Sequence, residues 1–396
     1  MKDLKIFAKA IDEKAKTQID TLLAQPAFAD CKVRIMPDVH AGAGCVIGFT
    51  ADLGDKVIPN IVGVDIGCGM LTIELGKVDI DFGKLDRVIR ENIPSGMNVN
   101  DVPVQSPVRL EELHCWDFLH NKDWLERSLC SLGGGNHFIE IDTDDEGNKY
   151  LIIHTGSRNI GKQICEYYQQ LAIERMVGKD KIKEMSDKII ADCKETGKER
   201  NISKLLKALK SIYSTDINTP KELCYLDGPF RYQYLIDMRI CQSFADWNRT
   251  YIARRICNEM GWDENNNFST IHNYIDYDSN IVRKGAISAK KGERLLIPIN
   301  MRDGCIIGVG KGNEDWNYSA PHGAGRIMSR AQAKETLTMA EYSEAMNGIY
   351  TTSVCTETID EAPQAYKPMQ EIVDCIEDTV EIQKIIKPVY NFKAKE

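Results

Sequence analysis

Short apolar runs alternate with glycine-rich segments along much of the chain. Early in the sequence these runs cover residues 33–36, 45–49 and 71–75, and dense glycine separates them. This pattern predicts strands joined by tight loops, because glycine lets the backbone turn sharply where a strand ends. Residues 137–153 and 294–309 repeat the pattern, so we expect strands there too.

A different spacing predicts a long helix at residues 231–260. Apolar side chains recur there every three to four positions, which is the period of one helix face. They are Tyr234, Met238, Cys241, Ala245, Ile252 and Ile256. Interleaved strands and helices indicate an α+β protein in which mixed β-sheets pack against helices.

Residues 178–213 are more polar than their surroundings and predict an amphipathic helical insertion. Two sets of side chains would lie on opposite helix faces: Ile202, Leu205, Leu206, Leu209 and Ile212 on one, and Lys204, Lys207 and Lys210 on the other. We interpret the lysines as a solvated face, because lysine is common on solvent-exposed surfaces. An RNA-binding stripe is the alternative.

Length and composition indicate a folded protein with a substantial core, since 43% of the 396 residues are hydrophobic. No linker rich in proline, glycine or serine separates the motifs described below, so we expect one domain over residues 1–396. No run approaches the roughly 18 apolar residues of a membrane span, and residues 1–10 carry no secretion signal. We therefore predict a cytoplasmic protein without membrane contact.

Cysteine content and charge narrow the class further. The 13 cysteines are scattered and odd in number, so most should be reduced thiols packed in the core. The net charge of −9 argues against a protein that coats nucleic acid, because phosphate contacts need clustered lysine and arginine. Any contact with RNA should therefore be local.

Four of the seven histidines lie in glycine-rich motifs flanked by apolar runs. They are His137 in GGGNHFIE, His154 in IIHTGSRN, His272 in TIHNYID and His322 in APHGAGR. A single buried histidine is usually a hydrogen-bonded core residue, but four in such motifs favour metal binding or catalysis.

The segment GVDIGCGM is the most informative one. Asp65 and Cys68 lie three residues apart among glycines, so a sharp turn could aim a carboxylate and a thiol at one point. With three of the histidines they could hold one divalent transition metal or a closely spaced pair. A glycine turn with a buried cysteine and a capping aspartate is the structural alternative.

Two further motifs carry candidate residues. Asp38 and His40 lie in MPDVHAGAG, which we expect to be a loop that orients metal ligands or contacts substrate. His322 is followed by two glycines and Arg326, which suit close approach to a phosphate and bidentate binding of it. This is the environment that a phosphate-accepting histidine needs.

Basic residues lie close to these motifs in the sequence. They are Arg158, Lys162, Arg283, Lys284, Arg326 and Arg330. Local positive charge can hold phosphate groups inside an acidic protein, so the negative total does not exclude an RNA substrate.

At these residues the chain resembles the RtcB family of RNA ligases. Eight motifs follow the order of the family: MPDVHAGAG, GVDIGCGM, GGGNHFIE, HTGSRNIG, the HNY around His272, RKGAISA, HGAGRIMSR and DEAPQAYK. They span residues 36–367, and eight motifs in register carry far more weight than one.

The resemblance implies an RtcB-like fold and an RNA ligase of tRNA splicing or RNA repair. Such an enzyme joins an RNA 3′-phosphate or 2′,3′-cyclic phosphate end to a 5′-hydroxyl end. GTP would be the cofactor: His322 would displace pyrophosphate and carry GMP, which then moves to the RNA 3′-phosphate. A 5′-hydroxyl would attack the activated end and release GMP. An activating protein is a further partner that such an enzyme could need.

Manganese is the implied metal, and two ions are expected. The ligands would be Asp65, Cys68, His137, His154 and His272. On ligand softness alone a thiolate with imidazoles points toward zinc, whereas manganese prefers oxygen ligands. The identity of the metal therefore rests on the resemblance.

By matching positions, the resemblance also implies contacts to nucleotide and phosphates. The GTP contacts would be Asn136, Glu140, Asn300, His322, Gly323, Ala324, Gly325, Tyr366 and Lys393. Among these, Glu140 and Lys393 would recognise the guanine edge, and Tyr366 would pack on the base. The contacts to phosphates of GTP or RNA would be Arg158, Lys284, Arg326 and Arg330.

The chain departs from the family pattern at three segments. The family has Gly-Ser-Met-Gly after an Ile-Pro pair, whereas residues 299–302 read INMR, which puts nucleotide contacts there in question. The family ends in Lys-Gly, whereas Lys393 is followed by Ala-Lys-Glu. The insertion at residues 178–213 is also longer than in typical bacterial members.

Two other functions remain open from the sequence. A metal-dependent phosphoesterase could use the same ligands to hydrolyse RNA ends without joining them. A non-catalytic RNA-binding protein would be expected to lose ligands, whereas here Asp65, Cys68 and all four motif histidines are present.

Overall fold

The computed structural model describes residues 3–214 and 219–394, in which helices and strands are interleaved. The helices are α1 (Glu13–Leu23), α2 (Pro59–Val62), α3 (Phe82–Asn92), α4 (Lys122–Arg127), α5 (Arg158–Met176), α6 (Lys179–Glu195), α7 (Ile202–Ser214), α8 (Gly228–Met260), α9 (Arg330–Thr336), α10 (Met339–Ala345) and α11 (Met369–Ile376). The strands are β1 (Leu4–Ile6), β2 (Val33–His40), β3 (Ile47–Asp52), β4 (Gly69–Gly76), β5 (Phe138–Thr143), β6 (Lys149–Thr155), β7 (Asn267–Ile271), β8 (Asn273–Asp276), β9 (Ile281–Lys284), β10 (Ala286–Ser288), β11 (Arg294–Asn300), β12 (Gly304–Gly310), β13 (Ser319–Pro321), β14 (Tyr350–Thr351) and β15 (Val380–Lys393).

The larger sheet has the strand order β11, β12, β15, β5, β6, β4, β7, and each of these neighbours pairs antiparallel. β14 pairs with β15 in parallel. The sheet curls so that its outer strands, β11 and β7, meet. At that point the backbone N–H of Leu296 on β11 donates to Thr270 Oγ1 on β7 at 3.1 Å.

Both faces of this sheet are buried by apolar side chains. On one face, strand residues meet α3 and α8; this cluster includes Ile139, Ile141, Leu151, Ile153, Leu85, Ile89, Ile252 and Ile256. The other face lies inside the curl; its cluster includes Met70, Tyr150, Ile152, Leu296, Cys305, Ile307 and Ile386. Since apolar burial is the main favourable term in folding, the two layers hold the sheet in place.

A second sheet has the order β1, β2, β3, β9, β8, with β1 parallel to β2 and the other pairs antiparallel. It shares a core with α1, α5 and the first half of α8. β10 pairs antiparallel with β13, which brings residue 322 to the end of that short ribbon.

The predicted α+β class is confirmed, and so is the long helix. α8 begins at Gly228 with Pro229 in its first turn and ends before Gly261, whose φ of 74° is the left-handed conformation that glycine adopts readily. All six apolar residues that define its predicted face are buried. The prediction of one domain over residues 1–396 stays a prediction.

The structure corrects the predicted loop at residues 36–44. β2 continues to His40, so Asp38 lies in a strand, where it is fully buried. The alternation of apolar and polar residues is hidden there because nearly every side chain of β2 is buried, whatever its polarity. β3 likewise starts at Ile47 rather than at residue 45.

The insertion at residues 178–213 contains two helices, α6 and α7, with a 3₁₀ turn (Glu199–Asn201) between them. Its predicted apolar face is only partly buried: Leu209 is buried, but Leu205 is exposed. The side chains of Lys210 and Ile212 lie outside the described part. No helix in residues 3–214 and 219–394 combines the length and hydropathy needed to cross a membrane.

Candidate active site

The register of four neighbouring strands brings the predicted metal ligands to one end of the larger sheet. His154 on β6 lies opposite Phe138 of β5 and Met70 of β4. His137 immediately precedes β5, and Cys68 immediately precedes β4. β7 pairs with β4 and ends one residue before His272. Residues far apart in sequence therefore meet because antiparallel pairing aligns the strand ends.

Cys68, His137 and His154 form the centre of the cluster. Cys68 Sγ lies 3.3 Å from His154 Nε2 and 3.5 Å from His137 Nε2. The rings of His154 and His272 are 5.2 Å apart between centroids, which brings the third imidazole to the same place. All four side chains are buried.

Backbone carbonyls fix which ring nitrogens face the thiol. His137 Nδ1 donates to the Leu132 carbonyl at 2.9 Å, and His154 Nδ1 donates to the Asn136 carbonyl at 3.2 Å. Both Nε2 atoms therefore face the thiol and are the ring nitrogens that a metal would bind, as in metal sites whose imidazoles are oriented by a hydrogen bond from the other nitrogen.

Asp65 joins the cluster from the glycine turn before β4. Its Oδ2 lies 2.9 Å from His137 Nε2, and its Oδ1 accepts from the Ser157 N–H at 3.0 Å. A Cβ at Gly156 would lie 2.2 Å from Asp65 Oδ1, so only glycine fits there. Burial would raise the pKa of Asp65, but the hydrogen bond and charge of His137 outweigh it and hold the pKa below its ordinary value.

These residues fit a divalent transition metal. Burial, and next the charges of neighbouring imidazoles, lower the pKa of His154 and of His272 well below the usual value, so the rings are neutral. Burial and then the charge of Asp65 raise the pKa of Cys68 well above that of a free thiol, which a bound cation would reverse. The buried Nδ1 of His272 has no hydrogen-bond partner among the described residues, which is expected if this nitrogen binds a ligand.

α8 holds the two loops that carry these ligands. Arg249 is fully buried, and its Nη1 donates to the carbonyls of Gly67 at 2.7 Å and Thr155 at 3.0 Å. Asn248 donates to the Ser131 and Gly156 carbonyls, each at 3.0 Å. Sequence analysis missed both residues, because the helix spacing marked only the apolar face.

His322 lies beside the metal cluster and is oriented by Asp38. Asp38 Oδ2 accepts from His322 Nδ1 at 2.6 Å and from the His322 backbone N–H at 3.1 Å. The rings of His322 and His272 are 5.0 Å apart between centroids. Because Nδ1 is held by a buried carboxylate, Nε2 is the nitrogen left for chemistry. The sequence pointed to Asp38 but did not reveal its partner.

A cavity of about 310 Å³ opens beside His322 and the metal cluster. The predicted site residues that line it are Asp65, Cys68, Asn136, Glu140, His154, His272, Asn300, His322, Gly323, Ala324, Gly325, Arg326, Arg330, Tyr366 and Lys393. His137 lies behind this wall, in contact with Asp65 and Cys68.

Glu361 organises the basic wall of the cavity. Its carboxylate accepts from Tyr366 Oη at 2.7 Å and lies 2.9 Å from Arg330 Nη2 and 3.0 Å from Lys393 Nζ. Arg326 Nη1 is 3.3 Å away. Burial would raise the pKa of Glu361, but the charges of Lys393 and Arg330 hold it well below its ordinary value. Sequence analysis quoted Glu361 within DEAPQAYK without giving it a role.

Two predicted phosphate-binding residues do not line the cavity. Arg158 donates to Ser131 Oγ at 3.0 Å and to the Gly96 carbonyl at 2.8 Å, and burial lowers its pKa to about 10. Lys284 is buried and donates to the Ala43 and Asn60 carbonyls. Asn300 does line the cavity, although its Nδ2 donates to Asp303 within the same turn. These side chains make structural contacts of their own.

Comparisons with known proteins agree with the motif pattern. The family model described as tRNA-splicing ligase RtcB matches residues 18–115 and 118–394. The RNA-splicing ligase RtcB of Escherichia coli K12 is 28% identical over 435 aligned positions, covering 99% of this chain and 97% of that protein. The tRNA-splicing ligase RtcB of Aeropyrum pernix is 26% identical, with coverage of 90% and 88%, and that of Methanococcus maripaludis is 27% identical, with coverage of 89% and 85%.

The family model covers nearly the whole chain, including all the strands whose ends carry the candidate ligands. The chain therefore belongs to the RtcB family.

Proposed function

We propose that this protein is an RNA ligase that joins a 3′-phosphate or 2′,3′-cyclic phosphate end to a 5′-hydroxyl end in tRNA splicing or RNA repair. The observation that most supports this proposal is the position of His322. A buried carboxylate orients this histidine at the wall of a cavity, beside a thiol–imidazole cluster. The names of the relatives, RNA-splicing and tRNA-splicing ligase, support the same reaction.

Manganese is the proposed metal, with two ions. Five residues would hold it: Asp65, Cys68, His137, His154 and His272. Among them, the ring of His272 contacts the ring of His322, with 5.0 Å between centroids. When bound, manganese would supply positive charge next to the reacting phosphates and would lower the pKa of a water molecule.

The nucleotide would occupy the cavity with its base toward Glu140 and Lys393. Tyr366 would pack on the base, and Asn136 would contact a phosphate. The backbone of residues 323–325 directly follows His322. A Cβ at Gly325 would lie 2.6 Å from the Asp38 carbonyl oxygen, so this backbone can pass so close to β2 only with glycine at position 325. Arg326 and Arg330 would bind phosphates, exchanging part of their pairing with Glu361 for the ligand.

The first step would form a covalent guanylate. His322 Nε2 attacks the α-phosphorus of GTP, an N–P bond forms, and the bond to the β-phosphate oxygen breaks to release pyrophosphate. Nδ1 keeps its proton within the hydrogen bond to Asp38, whose negative charge stabilises the imidazolium that develops.

The second and third steps would transfer and then release GMP. An oxygen of the RNA 3′-phosphate attacks the guanylate phosphorus, and the N–P bond breaks to regenerate the neutral imidazole. A 2′,3′-cyclic phosphate must first be opened by water to a 3′-phosphate. The 5′-hydroxyl then attacks the activated phosphate, loses its proton and displaces GMP, which leaves a phosphodiester.

The runner-up, an RNA-end phosphoesterase, needs the metal cluster but neither His322 nor GTP. The position of His322 at the cavity wall, oriented by Asp38 behind it, therefore favours ligation. A ligation assay on defined RNA ends, with GTP and manganese omitted in turn, separates the two functions, because only a ligase lengthens RNA in a GTP-dependent way. An activating protein and a cytoplasmic location stay predictions.

The direct test is labelling of the protein with α-labelled GTP and manganese. We expect a label that is acid-labile and alkali-stable, as a phosphoramidate should be, and that His322→Ala abolishes. His120→Ala is the matched control, because this histidine is exposed and lies outside the cavity lining. Labelling that survives in His322→Ala would place the nucleophile elsewhere and contradict the proposal.

A further inference from the structure

Three potential metal ligands meet inside the curl of the larger sheet, and we call them the β5–β12 cluster: Glu140, Asp142 and Cys305. Glu140 and Asp142 lie two positions apart on β5, so their side chains share one face, and Cys305 reaches them from β12. One ligand atom from each of the three lies within 4.8 Å of the others. All three residues are buried, and their group is separate from the one around Cys68.

Buried oxygens at the β5–β12 cluster lack hydrogen-bond donors. Neither carboxylate oxygen of Asp142, which is 0% exposed, has a donor within residues 3–214 and 219–394. Asn391 is buried as deeply, and its Nδ2 donates to Glu140 Oε2 at 2.6 Å. This contact holds Oδ1 of the same amide beside the cluster, where it too has no donor in that part of the chain. Buried oxygens without donors are rare in folded proteins, and a bound ion is one explanation for them.

The surroundings of the β5–β12 cluster are apolar, and the nearby lysines pair with other acids. Cys305 belongs to the apolar side-chain cluster inside the curl. On β15, Lys384 pairs with Asp144 at 3.1 Å. Lys393 pairs with Glu361 at 3.0 Å. Ionised carboxylates in such a place are costly unless a positive charge neutralises them.

We propose that the β5–β12 cluster binds a divalent transition metal, and its ligand types match zinc. Asn391 Oδ1 is the fourth ligand. Carboxylate oxygen and thiolate sulfur both bind zinc, which is usually tetrahedral in structural sites. On binding, the Cys305 thiol loses its proton to solvent and its sulfur bonds to the metal, so two carboxylates and one thiolate surround the dication. Glu140 lines the cavity, which gives the metal a path to the site.

A metal at this place links strands that do not pair directly, because β15 lies between β5 and β12 in the larger sheet. It also fixes the carboxylate of Glu140 at the cavity wall. The inference goes beyond the proposed function and does not rest on it, since metal binding here needs neither nucleotide nor RNA.

The test is the sulfur-to-metal charge-transfer band of protein produced with cobalt in place of zinc, because cobalt(II) occupies zinc sites and absorbs in the near ultraviolet when a thiolate binds it. Cys68→Ala removes the thiol of the active-site cluster, so a band that remains in this variant reports another thiolate. We expect such a band in Cys68→Ala, and we expect Cys305→Ser or Asp142→Asn, each added to Cys68→Ala, to abolish it. In zinc-loaded protein, each double variant should hold about one metal equivalent per chain less than Cys68→Ala.

Both replacements nearly keep the shape of the side chain, and they lie on different strands, so a folding defect in one leaves the other to decide. Asp144→Asn and Cys257→Ala, each added to Cys68→Ala, are the matched controls. Asp144 is a buried acid that follows β5 and pairs with Lys384, and Cys257 is a buried thiol on the other face of the sheet. Both controls should keep the band and the zinc.

Two results would overturn the inference. The first is a Cys68→Ala protein without a thiolate band, which would mean that a proton shared by the two carboxyl groups takes the place of a cation. The second is a band that survives both Cys305→Ser and Asp142→Asn, which would place the metal at another thiol. These measurements involve no nucleotide, so labelling of His322 tests the proposed function separately.

Discussion

The charge of Cys68 depends on what binds beside it. Burial and Asp65 raise the pKa of its thiol, so without a cation it stays protonated between two imidazoles. A metal that displaces this proton would gain a thiolate ligand, and losing that ligand should weaken both binding and catalysis.

We expect Cys68→Ala to lower bound metal and RNA ligation together. Elemental analysis of the purified protein and a ligation assay would measure the two effects. Cys257→Ala is the control, because this thiol is equally buried but packs between α8 and the sheet. Unchanged metal content in Cys68→Ala would return the residue to the role of an apolar core side chain.

Asp38 is the residue that orients His322, the proposed nucleophile. In Asp38→Asn, the amide could donate to His322 Nδ1 and so move the ring proton to Nε2, the nitrogen that should attack. We expect the rate of guanylate labelling to fall by about 10- to 100-fold, as when a histidine loses its orienting partner.

The affinity for GTP and the metal content of Asp38→Asn should stay close to those of the native chain, because Asp38 lies outside the cavity lining and the metal cluster. A variant that labels at the native rate would show that His322 needs no such partner. One that loses its metal instead would place Asp38 among the residues that support the metal site.

The sequence could identify side chains by motif, but not their partners. The glycine-rich motifs predicted most of the metal-binding, nucleophilic and nucleotide-binding candidates, and most of these candidates line one cavity. The pairing of Asp38 with His322 and of Glu361 with the basic wall joins positions that are distant in sequence. Only tertiary packing reveals such contacts.

Among the elements, α8 connects the loops that carry the candidate metal ligands to the core. Its apolar spacing was readable from the sequence because six residues repeat at the helical period. Arg249 interrupts that spacing as a buried cation, and its function is to bind two backbone carbonyls beside the ligands. Hydrophobic periodicity gives no signal for such a residue.

We expect Arg249→Met to destabilise the protein by about 2–4 kcal/mol, because two buried carbonyls would lose their donor. Metal content should fall as well, since the loops that carry Cys68 and His154 would lose their common anchor. Chemical denaturation and elemental analysis measure both effects. Arg254→Met is the control: this arginine pairs with Glu264 near the surface and should change stability by less than about 1 kcal/mol.

Strand positions were predicted better than their ends or register. β4, β11 and β12 lie where the apolar runs indicated, because both of their faces are buried. β2 runs further than predicted, since Asp38 is a polar residue in a strand. The register that aligns the ligands depends on long-range pairing, which no single run encodes.

At the scale of the whole molecule, a net charge of −9 limits how RNA can be held. If contacts are confined to the cavity wall, about two to three phosphates should be neutralised, and the slope of log K against log salt should be about −1.5 to −2 for a single strand. Fluorescence anisotropy of a short 3′-phosphorylated RNA over a range of salt concentrations measures this slope.

The double variant Lys204→Ala, Lys207→Ala should leave that slope unchanged, because we interpret the α7 lysines as a solvated face. Arg330→Ala should make the slope shallower, since Arg330 lines the cavity. A shallower slope in the lysine variant would instead assign α7 an RNA-binding role and reverse our interpretation of the insertion.

The candidate metal ligands come from both sides of α8 in the chain: Asp65 to His154 precede this helix, and His272 follows it. A polypeptide still attached to the ribosome therefore lacks the complete set of proposed ligands until residue 272 has been added, and it lacks the proposed nucleophile until residue 322. An ion that needs the whole set favours only the finished fold. On the proposed function, a product truncated before residue 322 would therefore stay inert toward nucleotide.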